Sequence, residues 1–175
     1  PLQGAPLTRL SCRNTRVSDL SPLKGMKLTN LDCIDSPVAD LSPLAGMPLT
    51  VLKCGGTKVS DVSPLKGMPL KELALYGTQA SDLSPLKGTP LTSLFFQGTP
   101  VSDLSPLKDM KLTNLNCSNT QVSDLSPLRG MPLEELSCDF NPRCHAEILR
   151  SIKTLQTING KPAKGFWKAV DEKKP

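Results

Sequence analysis

The sequence predicts an α/β solenoid, a right-handed superhelix with parallel strands on its concave side and short helical turns on its convex side. Leucine recurs every 21 residues, as at Leu28, Leu49 and Leu70, so one structural unit repeats along the chain. Apolar residues also alternate at the start of each unit, and a Ser-Pro-Leu segment with Gly nearby follows. The repeats end before a segment that we expect to form a C-terminal helical cap.

Each repeat is expected to open with a short strand. A second leucine follows the first by three residues, and a cysteine or another apolar residue stands two positions further on. Two inward residues separated by one outward residue are typical of a strand with one buried face. These second leucines are Leu10, Leu31, Leu52, Leu73, Leu94, Leu115 and Leu136.

The return segment is predicted to be one helical turn. In Ser21-Pro22-Leu23-Lys24-Gly25, Ser is a favoured N-cap, Pro suits the first helical position, and Gly suits the left-handed residue after the end. Asp19 precedes this Ser by two residues, so its carboxylate is expected to accept the Ser backbone N–H in an Asx-turn.

Composition limits the classes of function. The 175 residues carry a net charge of +5 and contain only four Phe, one Tyr and one Trp, which disfavours modules that stack nucleic-acid bases. No apolar run approaches the ~18 residues of a membrane-spanning helix, so no membrane insertion is expected. We expect one continuous repeat array and no nucleic-acid partner.

The repeat resembles the leucine-rich-repeat family. Residues 112–128, Leu-Thr-Asn-Leu-Asn-Cys-Ser-Asn-Thr-Gln-Val-Ser-Asp-Leu-Ser-Pro-Leu, are similar to the internalin-type and related SDS-type bacterial class. The resemblance covers residues 1 to about 141 and implies the solenoid fold. The sequence departs from the family where Thr or Ser replaces the usual ladder Asn, as at Thr15 and Ser36. We expect these hydroxyls to satisfy loop backbone groups instead.

A second resemblance concerns the uniform Asp-Leu-Ser-Pro-Leu-Lys-Gly-Met-Pro units and the segment Glu-Ile-Leu-Arg-Ser-Ile-Lys-Thr-Leu at residues 147–155. Both are similar to the C-terminal regions of certain large bacterial serine/threonine protein kinases. The resemblance implies a kinase upstream of this chain and a partner-selecting role for the repeats.

The chain is divided into a repeat array, residues 1–141, and a C-terminal helical cap and tail, residues 142–175. Residues 1–6 align with the tail of a repeat, which predicts an array truncated at its N-terminus and end-to-end self-association through the exposed first repeat. Asn141-Pro142 is a favoured helix start, and the stripe Ile148, Leu149, Ile152 and Leu155 is expected to close the solenoid. We expect Phe166 and Trp167 to complete the cap.

Five cysteines occupy one inward position of neighbouring strands, namely Cys12, Cys33, Cys54, Cys117 and Cys138. There Cys packs as a small hydrophobe, and strands ~4.8 Å apart suit a disulfide poorly. We expect reduced thiols and, with them, a cytoplasmic location. The adjacent Cys144 and His145 lack partners at zinc spacing, so no metal or cofactor is expected. Because His145 is the only histidine and no nucleophile or phosphate-binding motif appears, we expect no enzymatic activity.

The outward positions of the strands vary while the core does not, which favours a recognition surface for a protein or peptide on the concave face. Ile34, Val51, Tyr76 and Phe95 are predicted to form an exposed apolar centre between charged ends. The predicted binding residues are Arg9, Arg13, Ile34, Val51, Lys53, Glu72, Tyr76, Phe95, Gln97, Glu135 and Asp139.

Two other interpretations stay open. In the first, the outward residues vary only because substitutions on a solvent-exposed face are neutral, and the array is purely structural without a specific ligand. A row of basic residues on the convex side, Lys24, Lys66, Lys87, Lys108 and Arg129, offers weak polyanion binding. The repeated aspartates nearly balance that charge, and a lysine beside a helix C-terminus is favoured by the helix dipole in any case.

Overall fold

A computed structural model describes residues 6–172 and shows a parallel sheet built from one strand per repeat. The repeat strands are β1 Arg9–Ser11, β2 Asn30–Asp32, β3 Val51–Lys53, β4 Glu72–Ala74, β5 Ser93–Phe95, β6 Asn114–Asn116 and β7 Glu135–Ser137. Each pairs in parallel with the next, and equivalent residues lie opposite one another, so Leu10 pairs with Leu31 and Leu31 with Leu52. The predicted register is confirmed.

The core is a stack of equivalent side chains. Leu31, Leu52 and Leu73 are at most 1% exposed, and the leucine that opens each repeat from Leu28 to Leu133 is fully buried. Full burial of one such side chain is worth ~1.5–3 kcal/mol, so repetition of the same contacts supplies most of the stability of the array. The core continues through the turns, where Leu44 and Leu65 are also fully buried.

The return segments are single 3₁₀ turns. They span Ser21–Leu23, Ser42–Leu44, Ser63–Leu65, Ser84–Leu86, Ser105–Leu107 and Ser126–Leu128. The prediction that Ser is the N-cap is wrong, because Ser is the first residue of each turn and the residue before it makes no capping side-chain hydrogen bond. Asp supplies the cap: one oxygen of Asp82 accepts the Ser84 N–H at 2.7 Å and the other accepts the Ser84 hydroxyl at 2.7 Å.

The chain leaves each turn through a left-handed residue. Gly88 holds this conformation with φ 76°, as the predicted glycine position requires. In the fifth turn Asp109 takes the same place with φ 66°. A short polar side chain tolerates this conformation better than most residues, so the turn geometry is maintained without glycine.

The hydroxyl ladder predicted from the resemblance is confirmed. Thr57 donates to the carbonyl of Cys54 at 2.6 Å and Thr78 to that of Leu75 at 2.7 Å, so each hydroxyl reaches back three residues and closes its own loop. The same bond recurs for Thr15, Ser36, Thr99 and Thr120. These short side chains supply donors to loop carbonyls, two of which, those of Cys33 and Leu75, also accept a backbone N–H.

The C-terminal cap contains more than the predicted helix. Its elements are α1 Pro142–Ser151, β8 Thr157–Ile158, β9 Lys161–Pro162 and α2 Ala163–Asp171. The side chain of Asn141 accepts the Arg143 N–H at 3.0 Å, which confirms the predicted helix start. Strand β8 pairs in parallel with β7, whereas β9 pairs with β8 in antiparallel fashion. The sheet therefore continues into the cap.

Helix α1 is shorter than its apolar stripe. Ile148 and Leu149 are buried within the helix, but Ile152 and Leu155 lie beyond its end at Ser151. The predicted role of the aromatics is confirmed, since Phe166 is 8% exposed and Trp167 packs against the core.

Several expectations concern parts of the chain outside the described residues. The interpretation of residues 1–5 as the tail of a repeat lies there, as do residues 173–175 of the tail. In the first described repeat, Leu7, Leu10 and Cys12 are half-buried and Val17 is 38% exposed. Self-association through this end stays a prediction. Across residues 6–172, no helix has the length and apolarity that crossing a bilayer requires.

Candidate functional site

The concave face is formed by the outward residues of β1–β7. Residues at equivalent strand positions lie opposite one another, so Val51 pairs with Glu72 and Ala74 with Phe95. Each outward position therefore forms a row that crosses the strands, with neighbours ~4.8 Å apart. Every predicted binding residue lies within a strand or two residues after its end.

Both ends of this face are charged and exposed. Arg9 and Arg13 are exposed in the first repeat, and neither has an ion-pair partner among residues 6–172. Glu135 and Asp139 are exposed at the other end, where Glu135 accepts the Asn114 amide at 2.9 Å. Hydrogen bonds from neutral donors leave the negative charge in place.

The centre of the face is half-buried and less charged. Val51 and Phe95 are half-buried, while Lys53 and Glu72 form an ion pair at 2.9 Å. This pair neutralises two of the predicted binding residues. A groove of about 360 Å³ runs beside them. It is lined by Arg9, Leu10, Ser11, Asn30, Leu31, Asp32, Val51, Lys53 and Glu72.

The expectation that Ile34 is exposed is wrong, because its side chain is only 3% exposed. A Cβ placed on Gly55 would collide with the ring of Tyr76, so this ring lies across the space that a side chain at position 55 would fill. Tyr76 therefore extends back over Gly55 of the preceding repeat. Besides burial, Asp35 and Asp32 raise the pKa of Tyr76, whereas Arg13 and Lys53 lower it.

This position changes the chemistry of the phenol. Burial raises the pKa of Tyr76 above its ordinary value, and the nearby Asp35 carboxylate raises it further. Tyr76 itself is half-buried, so part of its ring remains exposed on the concave face.

Gln97 occupies the same row as Tyr76. It is half-buried, but its Oε1 atom is inaccessible to solvent and accepts no hydrogen bond from the described residues. A buried acceptor without a donor costs free energy, so the position of this side chain is maintained by its neighbours and not by a hydrogen bond to Oε1.

The cap adds residues that the sequence analysis did not assign to the surface. A second groove, of about 210 Å³, lies between β5 and the β8–β9 hairpin, where Thr157 and Gly160 join Phe95 and Glu135 in its lining. The signal was present in the pair Asn159-Gly160, which favours a two-residue hairpin turn. Both residues have positive φ, 51° and 72°, as that turn requires.

The cysteines that follow the strands face inward as predicted, and all of them except Cys12 are buried. All six cysteines are free thiols, of which Cys144 is exposed and Cys12 half-buried. Burial raises the pKa of Cys33 and of Cys138 to about 12 each. Protonated thiols of this kind are poor nucleophiles and poor metal ligands.

The chemistry available elsewhere is limited. Across residues 6–172, no group of three or more His, Cys, Asp or Glu side chains is arranged to hold a metal ion. His145 is 4% exposed, and its Nδ1 accepts the Asn141 N–H at 3.0 Å while its Nε2 faces the Ser123 carbonyl at 3.0 Å. Both ring nitrogens contact backbone groups, so His145 connects the start of helix α1 to the last repeats.

The convex basic row is exposed at Lys24, Lys66, Lys87, Lys108 and Arg129. Arg129 pairs with Glu147 of α1 at 3.0 Å. The aspartates of the turns are also exposed, and their hydrogen bonds to Ser lower the pKa of Asp82 and Asp103, so they remain charged. Opposite charges therefore alternate on this side.

The fold matches solved internalin structures from Listeria monocytogenes. An internalin, InlF, superposes with a TM-score of 0.76 at 28% identity, over 87% of this chain and 47% of that protein. Internalin C2 superposes with a TM-score of 0.62 at 26% identity, over 87% of this chain and 70% of the internalin C2 chain. The functional domain of InlJ, which includes a cysteine ladder, superposes with a TM-score of 0.59 at 25% identity. The match covers 87% of this chain and 38% of the InlJ chain.

The chain thus spans less than half of two of these structures and 70% of the third. No known family description and no curated protein matches the sequence itself. The strands, 3₁₀ turns and register, together with these likenesses, show that the chain has a leucine-rich-repeat solenoid fold similar to that of the internalins.

Proposed function

We propose that the chain is a non-catalytic scaffold for protein–protein interaction, which binds a protein or peptide on its concave face. One observation carries the proposal: the half-buried residues Val51, Tyr76 and Phe95 stand on this face in three successive repeats, between two charged, exposed ends. A partly apolar centre within a polar rim is the anatomy of a protein interface.

The dimensions support this role. Seven strands ~4.8 Å apart give a face ~30 Å long, and the loops beside the strands widen it towards the ~800 Å² that one partner of a standard interface buries. The resemblance to C-terminal regions of bacterial kinases supports the further proposal that the scaffold works within a larger signalling protein. A cytoplasmic location, which would keep the thiols reduced, belongs to the same proposal.

Selection from a displayed library of random twelve-residue peptides tests the concave site. Selected peptides are then titrated against the wild type, a Tyr76→Ala, Phe95→Ala variant and a matched convex variant, Lys66→Ala, Lys87→Ala. We expect the concave variant to weaken binding at least tenfold, because it removes the aromatic side chains of the centre. The convex variant should bind like the wild type.

Circular dichroism and thermal unfolding verify that each variant is folded. Equal binding by the concave variant and the wild type would contradict the proposal. Such a result would favour the purely structural array, in which this face has no specific ligand.

A further inference from the structure

We propose that the concave face binds an extended polypeptide segment with opposite charges at its two ends, the acidic end on the first repeat and the basic end on the seventh. This inference rests on the proposed function and adds the chemistry and orientation of the partner. It is carried by the distribution of unpaired charge along the rows.

The first repeat supplies the positive end. Arg9 and Arg13 are exposed, and no acidic side chain among residues 6–172 forms an ion pair with either. Asp32 and the exposed Asp35 of the second repeat offset part of this charge, but neither forms an ion pair with these arginines, and the Asp32 Oδ1 accepts the Ile34 N–H at 3.1 Å. The two guanidinium groups therefore remain available to a carboxylate, which they bind in bidentate geometry.

The seventh repeat supplies the negative end. Glu135 accepts a hydrogen bond from the Asn114 amide, and Asp139 accepts one from the Thr120 backbone N–H at 3.3 Å. Both donors are neutral, so two negative charges are left on the surface. Glu134, also exposed, precedes them in the same repeat.

Between the ends, the face carries no net charge from β3 to β6. The Lys53–Glu72 ion pair cancels within itself. The outward residues of β5 and β6, with the next outward residue beyond each strand, are all uncharged: Ser93, Phe95, Gln97, Asn114, Asn116 and Ser118. A segment that fits this face therefore has an uncharged, partly apolar centre.

The spacing defines the length of the segment. Six strand spacings of ~4.8 Å separate β1 from β7, about 29 Å in total. An extended chain advances ~3.3 Å per residue, so about nine residues connect the acidic end to the basic end. The segment crosses the strands and follows the rows of side chains.

The charge order of peptides selected on the wild type is the first test. We expect acidic residues at one end and basic residues at the other, about nine positions apart, in either chain direction. A selected peptide is compared with a peptide of the same composition whose charges are interleaved, and we expect the interleaved peptide to bind about tenfold more weakly. Equal affinities would overturn the proposal.

Charge inversion is the second test. One double variant inverts the first repeat, Arg9→Glu, Arg13→Glu, and another inverts the seventh, Glu135→Arg, Asp139→Arg. Each should weaken binding of the selected peptide about tenfold or more, because two attractions become two repulsions. The fourfold variant restores opposite ends in reverse order, so the peptide can turn around and bind within about threefold of the wild-type affinity. Persistent weakness of the fourfold variant would overturn the proposal.

These outcomes distinguish a failure of the proposed charge order from a failure of the concave binding site itself. If Phe95→Ala removes binding and the charge inversions do not, the concave scaffold stands and the charge order fails. If none of the concave variants changes binding, both fail. Dimerisation of the chain alone in sedimentation velocity, lost in each one-end inversion, would assign the face to a second copy and overturn the peptide proposal.

Discussion

The ring of Tyr76 lies across Gly55, where any Cβ would collide with it. Gly55 does not have a positive φ, so its backbone accepts alanine and only the ring must move. We predict that Gly55→Ala displaces Tyr76 into solvent and lowers its pKa towards the ordinary value, since burial is the main cause of the rise. The cost in stability should be about 1 kcal/mol.

Alkaline titration of the phenolate absorbance measures this pKa directly, because Tyr76 is the only tyrosine. Gly165→Ala is the matched control, as a Cβ there meets no other atom within 4 Å. An unchanged Tyr76 titration in Gly55→Ala would show that the ring does not depend on Gly55.

The Asp–Ser turns predict a dependence of stability on pH. Hydrogen bonds from Ser84 hold the pKa of Asp82 below its ordinary value of 3.8, and equivalent bonds act on Asp19, Asp40, Asp103 and Asp124. A carboxylate with a lowered pKa in the folded state contributes stability above its unfolded pKa and loses it as the pH falls through the folded pKa. Stability should therefore decline below about pH 4.

Urea unfolding of Asp82→Asn tests the source of that decline. The amide keeps one acceptor for the Ser84 N–H, but it cannot accept the Ser84 hydroxyl as the second carboxylate oxygen does. We expect lower stability at pH 7 and a smaller loss between pH 5 and pH 3 than in the wild type. Glu134→Gln, an exposed change outside the turns, should leave the pH dependence intact.

Thiol labelling at pH 8 should separate the cysteines by burial. Cys144 is exposed and should react first, followed by the half-buried Cys12. Cys33 and Cys138, with pKa values raised to about 12, should react only after unfolding, as should Cys54 and Cys117. Mass spectrometry of native and denatured samples counts the labels. Rapid native labelling of Cys33 would contradict its burial.

Arg150 links the two helices of the cap. Its guanidinium lies 4.2 Å from the centroid of the Trp167 ring and donates to both carboxylate oxygens of Asp171, at 2.8 and 2.9 Å. Because the pair is partly exposed, we expect Arg150→Ala to cost only about 1 kcal/mol. The fluorescence of Trp167, the only tryptophan, should shift to longer wavelength.

Arg143→Ala is the control for this prediction, since Arg143 is exposed on the same helix and its side chain forms no ion pair among residues 6–172. An equal fluorescence shift in both variants would show that the Trp167 environment does not depend on Arg150.

The repeated part of the fold was predictable because one local pattern recurs with a fixed period. A single repeat defines which residues face inward, and the period then places Leu31 beside Leu52 without further information. The Asx-turn at Asp19 was predictable for the same reason, since Asp and Ser two residues apart interact locally.

The errors arose where contacts depend on particular neighbours. Alternation predicts that Ile34 faces outward, yet it is 3% exposed, and in the next repeat the ring of Tyr76 covers the equivalent position, Gly55. The cap differs from the repeats in the same respect. Strand β8 forms because β7 offers it a free edge, which a two-residue segment does not reveal by its own periodicity.

The alignment of Leu31 with Leu52 has an evolutionary consequence. Since one genetic duplication of 21 codons adds one strand and one turn in register, the binding face can lengthen by ~4.8 Å at a time without redesign of its interior. A lineage can thus adjust the reach of the surface by recombination and its chemistry by point substitution. These two kinds of change act independently, because the residues that build the stack and those that line its hollow occupy different positions in the unit.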